Sequence, residues 1–206
     1  MISRWLVILG VVLSAASAPT HAGGGPLGID YELKYDDAGI WKRGYQLNLE
    51  YAVLGTTGIG ALWLGNEDAL GHAFWQDIDA EAISAVAAQG LKYAFGRARP
   101  FQGDNPNTWF HNGDQSFPSG EVALQAAFVT PIIFDYMKQD PWIAALEVLP
   151  LYDAIARMKV HDHWQTDVIG GWLVGTGVGY WSSTLKVPLV VRILPGGLTI
   201  GISTHF

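Results

Sequence analysis

The chain has 206 residues, of which 50% are hydrophobic and 15% are charged, and its formal net charge is −7. This length allows one domain with a substantial buried core. The negative charge argues against nucleic acid as a partner, and the absence of cysteine excludes disulfides and thiolate metal sites.

The first 22 residues have the pattern of a secretory signal peptide. Arg4 supplies a positive start, an apolar run follows, and small residues lead to a cleavage site after Ala22. The run is short for a membrane span, and an uncleaved N-terminal anchor is the alternative. We therefore predict an exported protein, which in a Gram-negative host would reach the periplasm or cell envelope.

The remaining chain is organised as a series of apolar helical segments. The alternating residues 29–35 predict a short strand or an extended arm. Helices are predicted after it at about 39–65, 80–98, 120–137, 140–157 and 167–184. We expect a kink or break at Gly55–Gly58 and another at Pro150. Loops are predicted at 66–75 and 101–117, with a helix cap at Asp77 or Asp79 after the first and at Ser119 after the second. The second loop is long and polar, which is typical of functional loops.

The tail differs in kind from the helical part. Two runs of β-forming residues, 187–194 and 198–204, flank Pro195-Gly196-Gly197, and this pattern predicts a β-hairpin over 186–206. The predicted fold class is therefore all-α, a bundle of five to six helices over 23–185 with a short C-terminal hairpin. The moderate hydrophobicity of the helices favours a soluble or peripherally attached bundle over an integral membrane one.

The first of three clusters that bear on chemistry lies at the end of the second predicted helix. Lys92 and Arg99 are seven residues apart, about two helical turns, so both face the same way. Two cations on one face suit a phosphate or another multivalent anion. The alternative is that Lys92, Arg97 and Arg99 only complement the helix dipole.

The second cluster is the segment Ser116-Phe117-Pro118-Ser119-Gly120-Glu121. A Ser-Gly pair at a helix start exposes backbone N–H groups that can bind an anion. The alternative is plain helix capping by Ser119.

The third cluster is the segment from Ala156 to Asp167. His163 and Asp167 stand four residues apart on one face, so the carboxylate can hold one imidazole nitrogen and leave the other free. Arg157 can bind an oxyanion beside that free nitrogen. The alternative is an ordinary helix-start acid with solvated histidines nearby.

Taken in order, these clusters resemble the three-part signature of the type 2 phosphatidic acid phosphatase superfamily, which includes class A bacterial acid phosphatases and vanadium haloperoxidases. The matching residues are Lys92-x6-Arg99-Pro100, Pro118-Ser119-Gly120 and Arg157-x5-His163-x3-Asp167. The resemblance implies a helical bundle of that type with the site at one end of its core. It implies phosphate binding by Lys92, Arg99, Arg157, Ser119 and the Gly120 amide, and attack by His163 oriented by Asp167. No metal or other cofactor is expected.

Two positions depart from the family pattern. Ala156 replaces a serine that often precedes the arginine, which leaves the charge unchanged. Glu121 stands where the family normally has the histidine that protonates the leaving oxygen. Glu121 would be a working acid if its pKa were raised; otherwise the acid is relocated to a residue such as His111, Asp114 or His161, or the enzyme is weakened.

The resemblance implies a phosphatase that hydrolyses a phosphomonoester or a diphosphate through a phosphohistidine intermediate. The substrate would be a phosphorylated small molecule or lipid, and a membrane surface is a candidate partner. Nothing in the sequence indicates an oligomeric state. The alternatives are a vanadate-dependent haloperoxidase and a non-catalytic envelope protein that binds an anion or a lipid phosphate.

Overall fold

The structure, a computed structural model, describes residues 23–103 and 105–193. It contains six α-helices in that part of the chain: α1 (Arg43–Leu64), α2 (Ala69–Phe95), α3 (Gly120–Tyr136), α4 (Val148–Lys159), α5 (Gln165–Ser183) and α6 (Leu189–Ile193). Short 3-10 helices cover Gly39–Trp41, Pro100–Gln102 and Pro141–Glu147. These residues include no β-strand, only an isolated bridge between Gly24 and Asp30. The predicted all-α bundle is confirmed.

Helix α1 passes through Gly55–Gly58 without interruption, so the predicted break there is wrong. Thr57 explains the difference, because its side chain packs into the bundle. Thr57 is 1% exposed, and its hydroxyl oxygen lies 3.1 Å from the carbonyl oxygen of Val53 and 3.0 Å from a carboxyl oxygen of Glu81 on α2. A buried side chain tied to its own helix and to a neighbour offsets the weak helix propensity of glycine.

Helix α2 begins earlier than predicted. The loop predicted at 66–75 is shorter, because Asp68 caps the helix with a carboxylate that accepts hydrogen bonds from the amides of Leu70 and Gly71. The predicted caps, Asp77 and Asp79, instead lie buried inside the helix.

The segment predicted as one helix over 140–157 consists of two pieces. Asp140 caps the 3-10 helix through the amide of Trp142, as predicted, and α4 then starts at Val148. Pro150 lies in the first turn of α4, where a residue without an N–H costs no hydrogen bond. Pro150 therefore marks the start of α4 rather than a kink within it.

The first strand of the predicted C-terminal hairpin is wrong, since residues 189–193 form α6. Asp79 on α2 accepts hydrogen bonds from the amides of Leu189 and Val190, and so satisfies the start of this helix. The second predicted strand, 198–204, and the predicted signal peptide, 1–22, lie outside the described residues.

The core lies between α1, α2 and α3, with a second apolar cluster where α3, α4 and α5 meet. The first contains buried Val53, Ala61, Ala73, Phe74, Trp75, Phe128, Val129, Ile132 and Ile133. The second contains Val122, Ala154, Met158 and Val168, of which Met158 belongs to the third sequence cluster. Among the described helices, none combines the length and the apolar character needed to cross a membrane.

A stripe of glycines brings α5 against α3. A Cβ atom on Gly171 would lie 2.3 Å from the carbonyl oxygen of Ser119, and one on Gly175 would lie 2.1 Å from that of Ala123. Real side chains cannot approach so closely, so only glycine permits this spacing. The contact fixes Ser119, at the start of α3, beside the start of α5.

Candidate active site

The three sequence clusters meet at one end of the bundle. Lys92 comes from the last turn of α2, Ser119 precedes α3, Arg157 lies in the last turn of α4, and His163 and Asp167 flank the start of α5. All five are buried, with at most 8% of each residue exposed. The structure therefore brings side chains from all three clusters together around His163.

His163 faces Asp167 at a distance just beyond hydrogen bonding. The His163 Nδ1 atom is 3.8 Å from the Asp167 Oδ2 atom, and Nδ1 has no hydrogen-bond partner within the described chain. The carboxylate is held by other donors, because Oδ2 accepts from the backbone N–H of Trp164 at 2.8 Å and from the hydroxyl of Ser116 at 2.6 Å. A closure of about 1 Å would complete the histidine–aspartate bond.

The environment keeps His163 neutral. Burial lowers the pKa of His163 to about 4, the cations Arg157 and Lys92 act in the same direction, and Asp167 opposes them. Burial alone would raise the pKa of Asp167, but its neighbours, including His163, outweigh burial and lower it. At neutral pH the site therefore holds an unprotonated imidazole beside an ionised carboxylate.

Lys92 is a buried cation whose pKa is lowered. Its ammonium donates a hydrogen bond to the carbonyl oxygen of Gln115 at 2.7 Å. Burial, together with the charge of Arg99, lowers the pKa of Lys92 to about 8, and the charge of Asp167 opposes this shift. Lys92 is therefore mostly charged at pH 7 and loses its charge in the mildly alkaline range.

Arg99 and Arg157 share one carboxylate, that of Asp162. The Arg99 Nη1 atom lies 2.9 Å from Asp162 Oδ1, and the Arg157 Nη2 atom lies 2.6 Å from Asp162 Oδ2. Arg157 also donates to Gln46 at 3.2 Å. The two arginines converge, and an anion bound between them would compete with Asp162 for their N–H groups.

Ser119 and Gly120 lie at the start of α3. The Ser119 side chain makes no capping hydrogen bond, and its buried hydroxyl has no partner among the described residues. A Cβ atom on Gly120 would lie 3.8 Å from Lys92 Cε, so the start of α3 borders the lysine. Simple capping by the Ser119 side chain is therefore not what the structure shows.

Glu121 is bound by an arginine that the sequence motifs do not contain. The Arg43 Nη1 atom lies 2.5 Å from Glu121 Oε2, and Nη2 lies 2.8 Å from Oε1. Burial favours the protonated form, but these bonds and the charges of Arg157 and Arg43 outweigh burial and lower the pKa of Glu121. This direction works against Glu121 as a proton donor.

The three residues considered for a relocated acid lie elsewhere. His111 and Asp114 line a cavity of about 680 Å³ in the loop after α2, together with Ala98, Gln102, Gly103, Asn105 and Thr108. The Nε2 atom of His161 lies 2.6 Å from the carbonyl oxygen of Leu33. The structure places none of the three in contact with His163.

Sequence reasoning misses Arg97 as a part of the site. Its Nη1 atom donates to Asp167 at 2.6 Å and its Nη2 atom to Asp30 at 2.6 Å, and all three side chains are fully buried. Asp30 belongs to the N-terminal extended segment, and Ser116 and Arg43 are further contributors that the motifs do not mark as functional. The sequence does contain a signal for this role, because Arg97 is a third cation between Lys92 and Arg99, and a buried arginine needs a carboxylate partner.

Comparison with known proteins identifies the family. The model of the PAP2 superfamily matches residues 79–189, more than half of the chain. The chain belongs to the PAP2 superfamily. The resemblance expected from the three motifs is thereby confirmed, and the matched range contains all three PAP2 motifs.

Two curated relatives are phosphatases by name. Lipid A 1-phosphatase of Porphyromonas gingivalis is 31% identical over 138 residues, which cover 65% of this chain and 28% of that protein. Undecaprenyl-diphosphatase of Sulfolobus acidocaldarius is 28% identical over 107 residues, half of each chain. The chain thus spans half or less of the length of these relatives.

One solved structure is also similar. The crystal structure of Aquifex aeolicus LpxE is 21% identical and has a TM-score of 0.49, and the match covers 68% of this chain and 83% of that one.

Proposed function

We propose that this PAP2 protein is a phosphatase that transfers a phosphoryl group from its substrate to His163 and then to water. The observation that carries the proposal is the setting of His163, which is buried and neutral with Asp167 3.8 Å from one nitrogen and the cations Lys92 and Arg157 acting on it. A neutral imidazole has a free lone pair, as a nucleophile requires.

In the first step the His163 Nε2 lone pair attacks phosphorus. The Nε2–P bond forms while the bond from phosphorus to the leaving oxygen breaks, and that oxygen departs with the electron pair. The ring keeps its Nδ1 proton and becomes positively charged, so the ionised Asp167 stabilises it. Lys92, Arg99 and Arg157 neutralise the phosphoryl oxygens, a role that metal ions fill in many phosphoryl-transfer enzymes.

In the second step a water molecule attacks the phosphohistidine. The new O–P bond forms while the P–N bond breaks, and the ring keeps the electron pair of that bond and returns to its neutral form. Inorganic phosphate leaves with both protons of the water. Asp162 is released from Arg99 and Arg157 when phosphate binds and pairs with them again when the product departs, because both anions need the same N–H groups.

The ion pair between Glu121 and Arg43 favours a substrate with a stable leaving group. Arg43 keeps this carboxylate ionised, so the leaving oxygen departs without a proton from Glu121. A phosphate leaving from a diphosphate is far less basic than an alkoxide leaving from a phosphomonoester. We therefore propose a phosphoanhydride carried by a lipid as the preferred substrate. The names of both relatives refer to a lipid, and that of undecaprenyl-diphosphatase also refers to a diphosphate.

The lipid-phosphate proposal also fits the protein surface. Helix α1, which begins at Arg43 beside the site, exposes large apolar side chains, among them Ile59 at 69% and Trp63 at 77%. Such a surface favours contact with a lipid aggregate or membrane surface. Together with the predicted export signal, it supports action in the cell envelope.

The test is hydrolysis by the purified protein of a polyprenyl diphosphate, the matching polyprenyl monophosphate and p-nitrophenyl phosphate. The proposal expects phosphate release fastest from the diphosphate and lost in His163→Ala but retained in His111→Ala, which changes an exposed histidine. Inactivity on all three substrates contradicts the proposal and favours an anion-binding protein. Bromide oxidation with vanadate favours the haloperoxidase alternative.

A further inference from the structure

The N-terminal segment from Asp30 to Asp36 lies against the loop that carries His163. Hydrogen bonds join the two segments at four points: Asp30 with Thr166, Tyr31 with Gln165, Leu33 with His161, and Asp36 with Lys159. The contact thus runs along the whole loop, from the end of α4 to the first turn of α5. We call residues 30–36 the arm.

Asp30 is the most deeply placed residue of the arm. It is 1% exposed, and its Oδ1 atom accepts a hydrogen bond from the Thr166 backbone N–H at 2.8 Å. Its Oδ2 atom accepts from the Thr166 hydroxyl at 2.7 Å and from Arg97 Nη2 at 2.6 Å. A carboxylate this deeply buried and this fully hydrogen-bonded is held in a single position.

Arg97 connects Asp30 to the histidine partner. Its guanidinium has one terminal nitrogen on Asp30 and the other on Asp167, each at 2.6 Å, and also donates to the carbonyl oxygen of Pro106 at 2.7 Å. The ring of Trp109 covers it, with the guanidinium carbon 4.3 Å from the ring centroid. The planar guanidinium therefore fixes the distance between two carboxylates.

The charges of Asp30, Arg97 and Asp167 matter for the reaction. Two carboxylates around one guanidinium leave one net negative charge, and Asp167 presents that charge to His163. Without Asp30, Arg97 would neutralise Asp167, and the positive ring that forms during attack would lose its counter-charge.

We propose that Asp30 is a positioning residue for phosphoryl transfer: through Arg97 it fixes the Asp167 carboxylate and preserves the negative charge that faces His163. The proposal rests on the proposed function of His163 as nucleophile. It assigns the arm a part in the reaction, although the arm lies well before the PAP2 match at residues 79–189.

The test uses three variants, Asp30→Asn, Arg97→Gln and the double variant, with Glu32→Gln as a matched control. Glu32 lies on the same arm, and its carboxylate is 3.8 Å from His161 Nδ1 instead of facing Arg97. Asp30→Asn should lower kcat about tenfold or more while KM changes little, because the counter-charge acts on the transition state. The control should match the wild type.

A pH profile separates charge from simple structural support. The groups acting on His163 are Lys92 from α2, Glu121 from α3, Arg157 from α4 and Asp167 from α5. None of them changes in these variants. The acid limb of kcat/KM should therefore move down by about one pH unit in Asp30→Asn, move up in Arg97→Gln, and return near the wild-type position in the double variant. Substrate ionisation is common to all four proteins.

An unchanged acid limb in Asp30→Asn, with no difference between Arg97→Gln and the double variant, would overturn the proposal. If Asp30→Asn does not fold, the comparison of the other two variants still decides, because they differ only in the Asp30 charge. If the wild-type protein hydrolyses no phosphate ester or diphosphate, the proposed function fails. The role of Asp30 is then tested by NMR titration of the His163 ring, whose titration midpoints should differ among the variants in the same order as the acid limbs. A single midpoint shared by all variants would contradict the role of Asp30.

Discussion

Arg43 binds Glu121 with both terminal nitrogens of its guanidinium, at 2.5 Å and 2.8 Å. The two residues are 78 positions apart in the chain, and the first turn of α1 and the first turn of α3 bring them together. Paired guanidinium–carboxylate bonds of this kind stabilise the ionised acid. The pair therefore explains how a glutamate occupies the position at which many PAP2 proteins have a histidine proton donor.

The first prediction concerns the role of Glu121. Glu121→Gln should lower the rate less than about tenfold, and to a similar extent for p-nitrophenyl phosphate and for an alkyl phosphate, because an ionised carboxylate gives no proton to either leaving group. The measurement is kcat/KM for both substrates, with Glu50→Gln as a control for the loss of a nearby acid. A loss of about 100-fold or more confined to the alkyl phosphate would show that Glu121 is the general acid.

The second prediction concerns the alkaline limit of activity. Because the pKa of Lys92 is lowered to about 8, the free enzyme should lose this cation, which we propose to bind the phosphate, as the pH rises through that value. Lys92→Arg should keep its charge throughout, so the ratio of kcat/KM at pH 9 to that at pH 7 should rise even if the rate at pH 7 falls.

The pH–rate profile of the two proteins is the measurement, and Lys138→Arg, an exposed lysine, is the control. An alkaline limb at the same pH in the Lys92→Arg protein would mean that another group sets it.

The third prediction separates two glycines of α5 that differ only in their surroundings. A Cβ atom at Gly175 would lie 2.1 Å from the carbonyl oxygen of Ala123, whereas one at Gly177 meets nothing within 4 Å. Gly175→Ala should therefore lower the free energy of unfolding by about 2 kcal/mol or more. Gly177→Ala should raise it by up to about 1 kcal/mol, because alanine is the better helix former.

Urea unfolding of both variants and the wild type measures these changes. Equal effects of the two substitutions would contradict the close packing of α3 against α5.

The fourth prediction concerns Asp153, a buried residue of α4. Neither of its carboxyl oxygens has a hydrogen-bond partner in the described part of the chain, and burial raises its pKa to about 7, with Glu121 adding to the effect. The folded pKa is above the unfolded one, so this group favours folding only at low pH. Its contribution is lost as the pH rises from about 4 to about 7.

Asp153→Asn should therefore stabilise the protein more at pH 8 than at pH 4, with a difference of about 2 to 4 kcal/mol. Thermal or urea unfolding at the two pH values measures it, and Asp37→Asn, which changes an exposed acid, is the control. A gain that is the same at both pH values would contradict the raised pKa.

The sequence predicts that helices α1 to α5 exist, although not all of their boundaries, because helix signals are local. The PAP2 motifs are local as well. Asp140 followed by proline specifies a helix start, and the short separation of His163 and Asp167 in the chain keeps the two side chains near each other. His163 precedes the extended cap residue Trp164, so the two do not share a helical face as the spacing predicted. These patterns depend on neighbours within a few residues of each other.

What the sequence does not predict depends on distant partners. Asp30 meets Arg97 across 67 residues. Helix α6 forms where one run of β-forming residues favours a strand, because Asp79, over 100 residues earlier, satisfies its first amides. In the same way burial of Thr57 keeps α1 continuous through its glycines. Tertiary contacts override local preference at each of these places.

The most direct test of the proposed phosphohistidine mechanism is to trap the covalent intermediate. The wild-type protein is mixed with excess diphosphate substrate, quenched in alkali, in which phosphohistidine survives, and digested for peptide mass spectrometry. One added phosphoryl group is expected on the peptide containing His163, and none in the His163→Ala protein. Steady turnover without any adduct, or undiminished turnover by His163→Ala, would contradict this mechanism.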